Sequence, residues 1–249
     1  MFIHNANQSN SKSVIIQWFL LCFNAGAINA GGFLATGRFV SHVTGFATLF
    51  GVEIAKNEIG GAIGILSVPL FFLLGSFLAG LLIDRPISHN MKPHFDYVMG
   101  LSALCLFLAA ISGDLSKFGN IGEIIQLKQV YILLSLLCFS CGLQNAAITS
   151  SSGSSIRTTH LTGLTTDLGL GIARLFIFDH ADERYKKELR ANKLRSGSII
   201  AFAIGSAIGT WFFIKLGYRG FAVSAIISTY AAWHGRKAKL TPRKLEALS

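Results

Sequence analysis

Long runs of the chain contain no charged residue at all: Val14 to Gly37, Gly60 to Ile83, Tyr97 to Gly113 and Val130 to Ser155. A helix needs about 20 consecutive apolar residues to cross a hydrocarbon core, and several of these runs are long enough. Only 14% of the 249 residues are charged, against 51% hydrophobic. That is too little charge to wet the surface of a soluble domain of this length. The sequence therefore predicts an all-α, polytopic helical membrane protein.

The net charge of +10 does not point to nucleic acid, because the basic residues gather at segment ends. Arg184, Lys186, Lys187, Arg190, Lys193 and Arg195 share one predicted loop (179–197), and Arg236, Lys237, Lys239, Arg243 and Lys244 fill a C-terminal tail. Such clusters retain loops in the cytoplasm and favour contact with anionic lipid. The polar start "MFIHNANQSNSKS" runs into a long apolar stretch, which predicts an uncleaved first helix. Cys138 and Cys141 form a CxxC, but with Cys22 and Cys105 they lie in apolar runs. Small buried side chains are expected there, with no metal and no cofactor. The mixed-charge run Asp179 to Arg190 likewise reads as a solvated helix and not as a metal site.

One polar phrase occurs twice. "SHVTGFATLFGVEIAK" from Ser41 and "THLTGLTTDLGLGIAR" from Thr159 align without a gap, so His42 meets His160, Thr44 meets Thr162 and Gly45 meets Gly163. Upstream, "GAINAGGF" from Gly26 resembles "GLQNAAIT" from Gly142, which sets Asn29 against Asn145. The chain thus reads as two repeated halves, 1–113 and 129–249, joined by a linker over 114–128. Each half holds four apolar segments: Val14–Gly37, Val40–Ala55, Gly60–Ile83 and Tyr97–Gly113, then Gln129–Thr149, Leu161–Ile177, Ser198–Leu216 and Phe221–Trp233.

Six to eight of these segments cross. Those starting at Val40 and Leu161 reach only roughly 23–26 Å as helices, short of a core of about 30 Å. If both are re-entrant, each half crosses three times and the halves are inverted; if all eight cross, the halves are parallel. With the N-terminus inside, eight crossings place Arg38, Arg85, Lys92, Arg157, Lys215 and Arg219 outside. Six crossings place Arg38, Lys56, Lys117, Lys128, Lys215 and Arg219 outside. The positive-inside rule does not choose between two sets of equal size.

The stretches "AGAINAGGFLATGRFVSHVTGFATLFG" and "GLQNAAITSSSGSSIRTTHLTGLTTDLG" resemble the YoaK-like bacterial membrane proteins, also labelled DUF1275 or UPF0700. The most specific part is Arg157, Thr158, Thr159, Thr162, Gly163, Thr166, Asp167, Leu168 and Gly169. The resemblance implies six membrane helices, with one non-spanning segment in each half. Where the family commonly has GxxDA this chain has Gly26 and Asn29-Ala30, and where it often has TGN this chain has Thr44-Gly45-Phe46.

Repeated halves are a recurrent plan among transporters, with the binding site near the midplane between them. The candidate substrate or ion site is therefore Asn29, His42, Thr44, Gly45, Asn145, Arg157, His160, Thr162, Gly163 and Asp167. Asp167 lies seven residues from both His160 and Arg174, near one helical face. It reads either as an ion or proton site in a wet cavity or as a structural partner of a nearby arginine. The histidines could relay protons or hold a helix break, while Thr and Gly also serve ordinary packing.

The expected function is secondary transport of a small molecule or ion across a bacterial inner membrane. The alternative is a non-transporting structural or regulatory protein in which the repeated phrases are packing devices. A membrane enzyme using His42 or His160 is the weaker reading, since no catalytic motif occurs, and no enzyme is expected. The expected partners are the lipid bilayer, the solute, anionic lipid beside the basic loop and a second copy of the chain.

Overall fold

The computed structural model describes residues 12–114, 121, 127–153 and 156–236. Among them the chain forms α1 (Lys12–Thr36), α2 (Val43–Ala55), α3 (Ile59–Ser88), α4 (Phe95–Asp114), α5 (Leu127–Ser151), α6 (Leu161–Ile177), α7 (Glu183–Leu216) and α8 (Gly220–Arg236), with a 3-10 turn at Gly217–Arg219 before α8. No strand occurs among the described residues. The protein is a multi-pass, all-α membrane protein, and α1, α3, α4, α5 and the joined stretch Glu183–Arg236 are long and apolar enough to cross a bilayer.

The directions of the helices follow from which residues touch. Along α1 and α7, Phe19 meets Gly197, Phe23 meets Gly205, Ala27 meets Gly209 and Gly31 meets Phe213. Both numbers rise together, so the two helices are parallel. Along α3 and α5, Gly64 meets Tyr131, Gly75 meets Phe139 and Gly142 meets Phe72, again in parallel. By contrast, Trp18 Nε1 donates to Ser151 Oγ at 3.2 Å and Asn24 Nδ2 approaches Gln144 Oε1 at 3.5 Å, so α1 and α5 are antiparallel. Gly113 packs on Tyr218 while Gly235 packs on Phe95, which makes α4 and α8 antiparallel. Every helix of the first half thus runs opposite to its counterpart in the second. The halves are inverted.

The stretch Glu183–Arg236 is a hairpin: α7 crosses, the chain turns at Gly217 with φ +59°, and α8 returns with Phe221 packed edge-on against Phe213. This gives six crossings: α1, α3, α4, α5, α7 and α8. Helices α2 and α6 do not cross, because each starts at mid-depth. After α1 ends, residues 37–42 double back along it. Val40 lies on Gly32, and Ser41 donates through its N–H and Oγ to Asn29 Oδ1 at 3.4 and 3.0 Å. Helix α2 then starts at the depth of Asn29 and returns to the end where α1 finished. In the second half Thr159 N–H and Thr158 Oγ1 donate to Asn145 Oδ1 at 3.4 and 3.3 Å, so α6 starts at the depth of Asn145.

This topology sorts the charge. Arg38, Lys56, Lys128, Lys215 and Arg219 stand at one end of the bundle, Arg157 stands beside the start of α6, and the other described lysines and arginines stand at the opposite, basic end. The basic 179–197 segment is not a loop over its whole length, because Glu183 to Arg195 is the continuous start of α7. Asp182 caps that helix by accepting from Arg184 N–H at 2.7 Å. The pairs formed there are Asp182–Arg184 and Glu183–Lys186. The projecting part of α7 grips α6: Glu188 binds Arg195 at 2.6 Å and Arg174 at 3.4 Å beside Gly171. The 114–128 linker and the tail beyond Arg236 lie largely outside the described residues.

Two apolar clusters fill the bundle. One gathers around Ile28, Leu106, Leu134 and Phe221, the other around Trp18, Ile83, Phe95 and Met99. Between them lies a buried polar layer in which Asn24, Gln144, Ser102, Ser140 and Ser228 hydrogen-bond to one another. The outward faces of α3 and α7 expose Ile63, Leu70, Leu73, Phe77, Ile208 and Ile214, which contact lipid.

The parallel seams rest on four glycines. A side chain at Gly26 would strike the backbone carbonyl of Phe202, and one at Gly142 that of Phe72; Gly205 and Gly75 face Phe23 and Phe139 in the same way. The seam is closed by Ser206 Oγ donating to Gly26 O at 3.2 Å and Ser76 Oγ donating to Gly142 O at 3.3 Å. Backbone cannot swing aside as a side chain can. Gly26→Ala and Gly142→Ala should therefore each destabilise the protein by about 1–3 kcal/mol. Gly51→Ala and Gly169→Ala, whose added methyl meets nothing within 4 Å, should be neutral or stabilising through helix propensity. Thermal unfolding of the four detergent-solubilised variants checks this.

Candidate functional site

The two helix breaks bring the repeated phrases together. A cavity of about 620 Å³ is lined by Ser41 to Thr44 of the first phrase and by Arg157 and Thr159 to Thr162 of the second. One face of α3 (Phe72, Ser76, Gly80, Asp84) and one of α5 (Asn145, Ala146, Thr149, Ser150) complete the wall. The α3 residues recur every fourth position and lead toward the basic end, where α3 terminates. The cavity therefore runs from mid-depth to that end.

Both re-entrant helices begin in this cavity. His42 and His160 are their N-cap residues, with nearly the same backbone angles (φ −99°, ψ 71° and φ −95°, ψ 60°), and neither side chain caps its own helix. Each imidazole instead folds over the first turn. A methyl group on Gly45 would lie 2.9 Å from His42 Nδ1, and one on Gly163 would lie 2.5 Å from His160 Nδ1. The glycines thus make room for the rings. Arg157 Nη1 lies 3.2 Å from His160 Nδ1. Because a guanidinium only donates, Nδ1 accepts and the ring proton sits on Nε2.

Of the residues proposed from sequence, His42, Thr44, Asn145, Arg157, His160 and Thr162 line the cavity. Asn29 does not; its side chain holds Ser41. Gly45 and Gly163 lie beneath the histidine rings. Asp167 is exposed on α6 away from the cavity wall, because α6 runs outward from His160 and carries residue 167 about two turns away. Arg174 pairs with Glu188 and not with Asp167. Sequence reading missed Ser76 and Asp84. Ser76 and Ser206 stand in a second repeated phrase, Phe72-x-x-Gly75-Ser76 and Phe202-x-x-Gly205-Ser206, which could have revealed them. Asp84 directly follows the uncharged run ending at Ile83 and reads as a boundary until α3 is seen to continue to Ser88.

Cys138 donates its thiol to Val40 O at 2.7 Å, and the four cysteines are free and buried. The CxxC is thus part of the packing around the first helix break. Among the described residues no group of His, Cys, Asp and Glu is placed to hold a metal ion.

The breaks depend on Asn29 and Asn145. Replacing either by alanine leaves polar groups at mid-depth without their acceptor, at a cost of about 1–3 kcal/mol. Asn29→Ala and Asn145→Ala should lower the melting temperature by similar amounts, whereas Thr166→Ala, which removes only a bond from its Oγ1 to Thr162 O, should change it little.

Comparison with known proteins agrees with a membrane protein. The family model described as "Protein of unknown function (DUF1275)" matches residues 17–233. The "UPF0700 transmembrane protein YoaK" of Bacillus subtilis (strain 168) is 27% identical over 190 residues, covering 76% of this chain and 79% of that protein. No solved structure matches. The chain is a member of the DUF1275 family of membrane proteins.

Proposed function

We propose that the protein is a secondary carrier, not an enzyme, moving a small solute across a bacterial inner membrane by alternating access. The observation that carries this reading is the cavity at the meeting point of two re-entrant helices, between inverted halves. Inverted-repeat transporters bind substrate near the midplane on discontinuous helices, and non-helical backbone at membrane depth is tolerated where it is buried in protein or lines a wet cavity. By the positive-inside rule the basic end is cytoplasmic, so the cavity faces inward. The basic start of α7 then lies at the cytoplasmic headgroups, where anionic lipid is attracted.

The closed route is marked by a departure from the repeat. Where the second half places Thr149 and Arg157 on the cavity wall, the first half has Phe33 and Phe39. These two rings stack at 4.6 Å, and Phe39 stands edge-on to His42 at 6.3 Å. In this reading the stack is the outer gate. The packing-device alternative draws on the hydrogen bonds of Asn29 and Asn145, which tie the start of each phrase to the preceding helix.

Single cysteines at Thr44 and Thr162, in protein with the native four replaced, separate the two readings. Carrier function predicts reaction with a membrane-impermeant thiol reagent from the basic face. It also predicts that Phe39→Ala makes the Thr44 position reactive from the opposite face. Silence at both positions in folded protein would mean a dry packing device.

A further inference from the structure

The cavity wall has a sign. Helices α2 and α6 both present their amino ends to it, neither has an acidic residue in its first turn, and neither is capped by its N-cap side chain. Each amino end carries about half a positive charge, and its first N–H groups have no partner within their helix. Arg157 adds a full cation on the same wall. Among the described residues it has no carboxylate partner; its side-chain contact is His160. A charge at membrane depth ordinarily faces a counter-charge or a pathway. The fold does not require this one, since the equivalent position in the first half is Phe39. His160 Nε2, with its proton, and the hydroxyls of Ser41, Thr44, Thr159 and Thr162 supply further donors around the same space. The acid lining the cavity is Asp84, exposed and on the part of α3 nearest the basic end.

We infer that the solute is a small anion, a carboxylate or an inorganic oxyanion, held by its charged group between the amino ends of α2 and α6 and Arg157. This rests on the carrier reading and adds to it the class of substrate. A cavity of about 620 Å³ lies in the range of small-molecule sites, and discontinuous helices aim their amino ends at anionic groups in other carriers. The binding is by hydrogen bonds and field alone, without covalent chemistry. Arg157 sets the sign most strongly because it contributes a whole charge where each helix end contributes half.

The test uses two thiol reagents as probe solutes: anionic sulfonatoethyl methanethiosulfonate and cationic trimethylammonioethyl methanethiosulfonate. Each rate at Thr162→Cys, in full-length protein lacking the native cysteines, is normalised to the reagent's rate with a free small thiol. Thr44→Cys is the second site should the first fail to fold. The anionic reagent is expected to be favoured by about tenfold, with a rate that saturates as its concentration rises. Arg157→Gln should remove most of that preference while leaving the melting temperature near that of the parent. Reaction with no anionic preference, or a preference untouched by Arg157→Gln, overturns the anion inference and leaves the carrier reading standing. No reaction with either reagent at either site in folded protein overturns both.

Discussion

The structure turns on one demand: a chain that breaks its helix at mid-depth in a membrane must give every freed backbone group a partner. Water is absent from the hydrocarbon, and each unsatisfied N–H or C=O there costs several kcal/mol. This protein breaks twice, after α1 and after α5. Asn29 and Asn145 meet the demand from the helix just completed, each accepting from the returning strand. Cys138 binds the carbonyl of Val40 in the first break, and Ser152 Oγ accepts from Ile156 N–H at 3.0 Å in the second. Gly45 N–H reaches His42 O at 2.9 Å, and the N–H groups before it, with those at the start of α6, open onto the cavity. The repeated phrase is therefore polar for two reasons at once. Its Asn, Ser and Thr positions complete the break, and its histidine and threonine side chains line the space that the break creates.

Such breaks need a rigid frame, and in lipid the frame cannot come from the hydrophobic effect between helices, because lipid tails are as apolar as leucine. It comes from close backbone contact. The second crossing helices are exchanged between halves: α7 lies on α1 and α3 on α5, each seam lined by glycine on both sides. Neither half is a separate folding body on this plan, since each lends a helix to the other. The re-entrant helices are the lightly held parts. Phe46 is the buried residue of α2, and Leu164 and Gly171 are those of α6. A tight frame with two shallowly packed inserts is the arrangement that lets a site change exposure without repacking the core.

Much of this was written in the sequence. The uncharged runs gave the membrane class, and the ungapped match of the two HxTG phrases placed four of the cavity-lining residues, His42, Thr44, His160 and Thr162. The number of crossings was not legible, because both topologies leave six basic residues outside. What decides between them is a contact twelve residues apart, Ser41 on Asn29, which charge counting does not sense. Asp167 stands off the cavity wall for a related reason. Helical period correctly places it on a face with His160, but not the direction in which α6 leaves the cavity. The Phe-x-x-Gly-Ser repeat went unread because serine and glycine in an apolar run look like ordinary packing. Their meaning appears only when Gly26 and Gly142 are seen to need backbone neighbours.

The differences between the halves carry as much information as the likeness. Two identical inverted halves would give inward-open and outward-open states of equal energy, because exchanging the halves exchanges the states. Here Phe33 and Phe39 stack on one side while Thr149 and Arg157 stand apart along a cavity on the other. In the proposed carrier reading, the stack forms in one state only, and the polar wall is best hydrated in that same state. Both terms favour closure at the weakly charged end. In the same reading, a solute that binds the two states equally shifts nothing, so turnover would require a ligand that offsets this bias by binding better when the aromatic pair is apart. An anion neutralising Arg157 meets that condition, since it removes the need for water at the guanidinium, and with it part of the preference for the open polar wall.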